Sequence, residues 1–219
     1  MVNNAVDFFD RVGQTDWQQS LQRTLVHWIG IHPRHDVLDV GCGAGHFVIL
    51  LAQRAGFVTG VDVSEEMVNR ASRNVSDYGV DNAAIVPGRI QQLPFPADRF
   101  DIVTCLHLLF MYDDPSPLVG ELLRVCKPGG QVVLLEPSSK LNPWSAQTYC
   151  AQNKLYDFER DSLLSFATAA ARYRRNNAAA MEQAVHSSGV VRVDTSEALD
   201  GLASLIRLEK PMVDAKIVG

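Results

Sequence analysis

The chain has 219 residues, 47% hydrophobic and 21% charged, with a net charge of -5. That length suits one domain with a full core, and the acidic balance lacks the basic surface that nonspecific nucleic-acid binding needs. No apolar run reaches the roughly 18 residues of a membrane span, and the start MVNNAVDFFDRVGQ lacks the pattern of a secretory signal.

The expectation is therefore a cytoplasmic protein with no membrane span. Cys42, Cys105, Cys126 and Cys150 have no metal-ligand spacing and read as reduced thiols. The histidines His27, His32, His35, His46 and His186 are scattered and suggest no metal site.

Residues 1–35 precede the first strand. Trp17, Leu21, Leu25 and Trp28 recur at helical spacing, with Asp16 as the expected N-cap. Phe8 and Phe9 fit either ordinary packing or an arm that closes over a ligand. The run VLDVGCGAG follows, from Val37 to Gly45. It reads as a strand near 36–40, a tight loop with glycines at alternating positions, and a helix over 45–55. Glycine adopts positive φ freely and lets a ligand approach bare backbone. Next come a strand over 57–62 ending in Asp62, a Ser64 N-cap, a helix over 65–78 and a strand over 83–87. A strand over 100–105, a helix over 115–126 capped by Asp113-Asp114-Pro115, and a strand over 130–136 complete the series. Pro128-Gly129-Gly130 reverses the chain between the last two. Residues 138–176 suit helices, and a helix over 177–187 ends before Gly189. Val190 to Asp194 and Ser204 to Pro211 read as a final antiparallel pair.

This alternation predicts an α/β fold: a doubly wound, Rossmann-like, seven-stranded and mostly parallel sheet with an antiparallel C-terminal strand. Ligands of such sheets sit beyond the carboxyl ends of the strands. Asp39, Gly41, Asp62, Arg89 and His107 all fall at or just after such ends. The loop spacing is G-x-G-x-G, whereas dinucleotide enzymes use G-x-G-x-x-G, and His46 stands where that pattern wants Gly or Ala. Asp39 would repel a pyrophosphate but attract an ammonium or sulfonium group. Asp62, 21 residues after Gly41, is placed to accept hydrogen bonds from ribose hydroxyls.

The loop resembles the first signature of class I S-adenosylmethionine-dependent methyltransferases. PGRIQQLPFPADRFDIVTC (Pro87 to Cys105) and LLRVCKPGGQVVLLEP (Leu122 to Pro137) extend the resemblance to the quinone-biosynthesis type of small-molecule methyltransferase, over roughly residues 37–137. It implies S-adenosylmethionine as cofactor and S-adenosylhomocysteine as product. The residues it implies around the cofactor are Asp39, Gly41, Cys42, Gly43, Gly45, Asp62, Val63, Met67, Arg89, Ile90 and Leu106. Met67 would pack on the adenine or simply fill the core. Family members usually carry an acid where this chain has Arg89, which cannot accept a hydrogen bond. Gln91 or Gln92 would then receive the adenine amino group, or the Ile90 amide and apolar contacts would serve the ring while Arg89 faces solvent.

A sulfonium methyl needs chiefly an aligned nucleophile. His107 is the expected catalytic candidate, as a general base or a substrate-lining group, with Tyr112 and Asp113 behind it. His46 could touch the cofactor carboxylate or be a partly exposed helix residue. Arg172, Arg174 and Arg175 could meet an anionic substrate or form a solvated helix face. The whole chain is expected to be one methyltransferase domain, with residues 1–35 as a helical arm and 138–176 as a helical lid. Trp144, Tyr149, Tyr156, Phe158, Phe166 and Tyr173 would line that lid toward a small-molecule methyl acceptor. The rival readings are a methyltransferase of RNA or protein, and a catalytically silent cofactor-binding regulator.

Overall fold

The computed structural model describes residues 5–174 and 178–212. Its strands are β1 (Asp36–Val40), β2 (Phe57–Asp62), β3 (Ala83–Pro87), β4 (Phe100–Leu106), β5 (Cys126–Pro137), β6 (Arg192–Ala198) and β7 (Ala203–Glu209). They form one sheet in the order β3-β2-β1-β4-β5-β7-β6. β1 to β5 pair in parallel, whereas β7 runs antiparallel to both β5 and β6. This is the expected doubly wound, mostly parallel, seven-stranded sheet. The chain builds outward from β1 on one side through β2 and β3, then crosses to build the other side from β4. The crevice of the fold therefore opens between the carboxyl ends of β1 and β4.

The helices are α1 (Ala5–Gly13), α2 (Asp16–Ile29), α3 (His46–Ala52), α4 (Glu65–Asp77), α5 (Ser116–Val125), α6 (Pro143–Gln152), α7 (Asp157–Arg174) and α8 (Ala178–Ser187). Side chains alternate across a strand, and the sheet accordingly feeds two cores. Val37, Ile102, Val133 and Leu135 pack with α2, α3, α6 and α7. Leu38, Val40, Val103, Cys105, Val132 and Leu134 pack with α5 and α8 on the opposite face. No helix among the described residues is long and apolar enough to cross a membrane, and all four cysteines are buried and unpaired.

Ser64 caps α4 as expected, its hydroxyl accepting from the Met67 amide at 3.3 Å. Several boundaries differ from expectation, including β6, which runs Arg192–Ala198 against the expected Val190 to Asp194, and β7, which runs Ala203–Glu209 against the expected Ser204 to Pro211. The N-cap of α2 is Thr15, not Asp16, and its own side chain makes no cap. The Asp16 amide instead donates to Glu159 Oε1 of α7 at 2.9 Å, a cap supplied from 143 residues away. β5 begins at Cys126, which pairs with Phe100 before a register shift absorbs the Pro128-Gly129-Gly130 turn. α3 stops at Ala52, three residues short of the expected end. Residues 175–177 lie outside the described residues, so the expected ends of the lid at 176 and of the last helix at 177 fall there, as does Arg175.

Gly60 in β2 sets how closely α3, the loop and β3 approach. A Cβ there would lie 2.8 Å from Ile85 Cδ1, 2.9 Å from Val48 Cγ2 and 3.0 Å from Cys42 Sγ. Gly60→Ala is expected to cost about 1–3 kcal/mol by overpacking, a fall of several degrees in Tm. An unchanged thermal melt would show that this junction has slack.

Candidate cofactor and acceptor site

The loop after β1 holds its shape through three left-handed residues, Gly41 (φ 75°), Gly43 (φ 53°) and Gly45 (φ 83°). The Gly41 and Cys42 amides both donate to the Val61 carbonyl, at 2.8 and 3.0 Å, which ties the loop to the end of β2. The glycines serve different ends. A Cβ on Gly45 would meet Ala71 of α4 at 3.0 Å, so Gly45 permits helix packing. A Cβ on Gly43 would meet nothing within 4 Å, and Gly43 therefore borders open space at the mouth of the crevice. On Gly41 the Cβ would meet only the flexible end of Leu108, at 3.1 Å.

Two carboxylates frame that space. Asp62 Oδ2 accepts from the Gly43 amide and Oδ1 from the Ser64 amide, each at 2.9 Å. Each oxygen retains a further lone pair for a ligand. Asp39 is 3% exposed, and the Thr104 hydroxyl of β4 donates to its Oδ1 at 2.7 Å. Burial pushes the Asp39 carboxyl up to about 7; Thr104 offsets part of this and the nearby Asp62 adds to it. Among the described residues neither acid has an ion-pair partner. Cys42 is buried between these charges, and burial first, then Asp39 and Asp62, raise its thiol far beyond ionisation. It is an apolar filler rather than a nucleophile.

The other implied cofactor residues ring the same edge. Val63 is exposed, Met67 and Leu106 are half-buried, and Ile90 is buried. Arg89 is exposed, bridged only through backbone to Gln92. Gln91 donates to the Tyr112 hydroxyl at 3.3 Å. These residues suit a nucleoside bearing a cation: acceptors for hydroxyls, bare backbone at Gly43, apolar flanks, and an unpaired acid.

Beyond β4 the site changes character. His107 has φ 55°, and its amide extends the β4–β5 ladder by donating to the Leu135 carbonyl at 2.7 Å. Both ring nitrogens are buried without a partner. Burial pulls the imidazole down to about 4, so it stays neutral at pH 7. Phe166 of α7 meets the ring edge-on at 4.6 Å between centroids and also contacts Phe110 and Trp17; Tyr173 contacts Phe110.

Glu136, at the end of β5, holds this region in place and was not anticipated from sequence. Its Oε1 accepts from the Leu109 amide at 3.1 Å and its Oε2 from the Phe110 amide at 3.0 Å, fixing a short 3-10 turn over Leu109–Met111. Burial pushes its carboxyl up to about 8 against the pull of those amides. The signal was available: an acid closing an apolar strand, as at Asp39 and Asp62.

Several expected contributors lie elsewhere. Trp144 and Tyr156 are 78% and 66% exposed, and Tyr156 borders a surface hollow with Arg11 and Phe158 instead of facing His107. Tyr149 packs into the core. Phe158 meets Phe8 of α1 and lies under the Arg11 guanidinium, so the arm and α7 touch there. His46 bonds Asp10 at 2.9 Å and serves α1. Arg172 is exposed beside Tyr173.

Comparison with known proteins matches these observations. The family profile described as a methyltransferase domain covers residues 38–134. The uncharacterized methyltransferase YcgJ of Bacillus subtilis is 35% identical over 133 residues, 60% of this chain and 53% of that protein. A demethylmenaquinone methyltransferase of Listeria monocytogenes is 34% identical over 119 residues, 53% of this chain and 50% of its own length. The chain thus spans about half the length of the curated relatives it matches. A solved structure of a putative S-adenosyl-L-methionine-dependent methyltransferase from Methanococcus maripaludis shares the fold, with a TM-score of 0.70 at 17% identity, covering 96% of this chain and 94% of that one. Profile, relatives and strand order agree: residues 38–134 match a methyltransferase domain, and the chain is similar to methyltransferases in sequence and to an S-adenosyl-L-methionine-dependent methyltransferase in fold.

Proposed function

We propose that this chain transfers the methyl group of S-adenosylmethionine to a small, partly hydrophobic acceptor. The observation that carries the reading is the pair Asp39 and Asp62, two acids at adjoining strand ends beside open backbone, with no cation to pair them among the described residues. Asp62 would take the ribose hydroxyls, Asp39 the cationic end of the cofactor, and Met67 and Ile90 the adenine faces. When bound, the cofactor supplies an electrophilic methyl carbon that a nucleophile displaces in line.

The chain's own work is then to aim the acceptor and keep water away. Phe110, Phe166 and Tyr173 offer apolar contact on the acceptor side of His107. Neutral imidazole has one donor and one acceptor nitrogen, and leaving both unmet in the interior is costly. A polar group on the acceptor would satisfy one of them. With its basicity reduced this far, His107 orients the acceptor more than it deprotonates it. The demethylmenaquinone methyltransferase relatives support a small acceptor. So does the net charge of -5, which does not suit RNA. Helices α6 and α7 would act as the lid and α1 as the arm of a single domain.

Incubation with S-adenosylmethionine and a panel of phenolic, quinone-like and amine acceptors, with detection of S-adenosylhomocysteine, tests the proposal. Binding without turnover across a broad panel would favour the silent regulator, and turnover only with RNA or protein would overturn the acceptor class.

Asp62→Ala is expected to weaken cofactor binding by roughly tenfold to more than a hundredfold, since charge-assisted hydrogen bonds contribute about 1.5–3 kcal/mol. Calorimetry on the folded variant checks this, and unchanged affinity would remove Asp62 from the site. Cofactor affinity should also depend on pH. In the free protein Asp39 is largely protonated below about 7, and a bound cation favours its ionised form, so binding expels a proton there. Affinity should rise as pH increases toward 7, by at most about tenfold per unit, and then level off. Asp39→Asn should flatten that rise; a slope surviving in the variant would assign it to another group. On the acceptor side, His107→Asn, which tolerates the left-handed backbone, and Phe166→Ala should each cut turnover at least about tenfold. Cofactor affinity should stay within about threefold, or ~0.65 kcal/mol. Loss of cofactor affinity with the fold intact would instead place these residues against the cofactor.

A further inference from the structure

Helix α1 is fastened to the back of the glycine loop through one carboxylate. Asp10 is 9% exposed. Its Oδ1 accepts from Asn74 Nδ2 of α4 at 2.7 Å and lies 2.9 Å from Nε2 of His46, the first residue of α3. Its Oδ2 accepts from Arg70 Nη1 at 2.6 Å. Arg70 also holds Asp7 one turn earlier on α1. Asn74 has a second amide hydrogen, and it goes to the Ala44 carbonyl at 2.8 Å, between Gly43 and Gly45. One side chain thus bridges α1 and the loop backbone. The fit is also steric: a Cβ on Gly13 would lie 2.3 Å from the His46 ring, so only glycine lets the end of α1 rest there.

Three donors from two helices converge on Asp10 from 36 to 64 residues away in sequence. A carboxylate so fully engaged has little capacity left for a ligand. What it can do is hold α1 in register with the loop. On its other side α1 touches the first turn of α7, where Phe8 and Arg11 pack on Phe158, and later turns of the same helix carry Phe166 and Tyr173 to the acceptor side.

We propose that Asp10 and Asn74 are positioning residues for the cofactor loop, and that α1 is a latch whose seating is coupled to cofactor binding. Seated, the latch fixes the Ala44 carbonyl and the start of α3, and so the loop conformation that presents Gly43. Released, the loop loses its outer support and the cofactor is held less tightly. By linkage, cofactor bound to the loop favours the seated arm by the same factor. The inference rests on the reading that this loop binds S-adenosylmethionine.

The test uses the full chain with Asp10→Asn, which keeps shape but not charge, and Asn74→Ala, which cuts only the bridge. Cofactor affinity is read by calorimetry, and the rate of trypsin cleavage after Arg11 reads the seating of α1 with and without S-adenosylmethionine. Both variants should bind the cofactor at least about tenfold more weakly and be cleaved several-fold faster. In the unmodified chain the cofactor should slow that cleavage. If a variant fails to fold, Arg70→Met loosens α1 without touching the loop and should show a smaller change in the same direction. A lowered melting temperature with unchanged affinity and cofactor-independent cleavage would make the cluster plain scaffold and overturn the proposal. Failure of the unmodified chain to bind S-adenosylmethionine would instead remove the cofactor reading on which the latch depends.

Discussion

The site depends on a concentration of acid at the carboxyl edge of the sheet that the protein itself does not neutralise. Asp39 is buried beneath a single hydroxyl, and Asp62 is held by two backbone amides. Burying an unpaired carboxylate is expensive, and a protein ordinarily offsets the cost with a nearby cation. Here no cation among the described residues pairs with either acid: Arg70 is engaged with α1, and Arg89, at the same edge, is exposed. The unneutralised charge makes an exogenous cation a favourable occupant.

Much of this was legible in the sequence because its carriers are local. A strand that closes on an acid, a loop of alternating glycines and a following helix occupy under twenty consecutive residues, and their chemistry follows from backbone conformation alone. The strands β1 and β3 have the expected bounds for the same reason: each is a short apolar run between turn residues. The long-range features were not legible. Nothing around Asp10 says that its partners are His46, Arg70 and Asn74, because the pairing exists only once α1 crosses α3 and α4. The cap of α2 comes from Glu159, so a local search for it settles on the wrong residue. Aromatic content also misled. Of six lid aromatics Trp144, Tyr156 and Tyr173 are exposed, and Tyr156 lies between α6 and α7 rather than on either helix.

The acceptor half follows a different physical logic from the cofactor half. Around the cofactor loop polar groups are amply satisfied by backbone, whereas at His107 the protein leaves both nitrogens bare in an aromatic setting. Glu136 makes that possible. By accepting the Leu109 and Phe110 amides it fixes the turn that carries Phe110, and the β5 ladder fixes the backbone of His107 in its left-handed conformation. The strain at His107 and the buried carboxyl of Glu136 are thus borne by the same short stretch, where the proposed acceptor would need rigid placement.

These two halves meet through the sheet, where Thr104 of β4 donates to Asp39 of β1 and Leu108 lies against Gly41, and α1 adds a second link. The sheet can hold the cofactor loop and the end of β4 at a fixed distance, but it cannot sense whether either is occupied. α1 touches both, with Asp10 on the loop side and Phe8 and Arg11 on α7. Unseating this helix would also expose Val6 and lift Val12 off the core, so its seating is favoured by apolar burial as well as by the polar cluster. If cofactor binding seats α1 as proposed, the arm would settle on a loaded site, an order that suits a reactive electrophile and that no local pattern around Asp10 reveals.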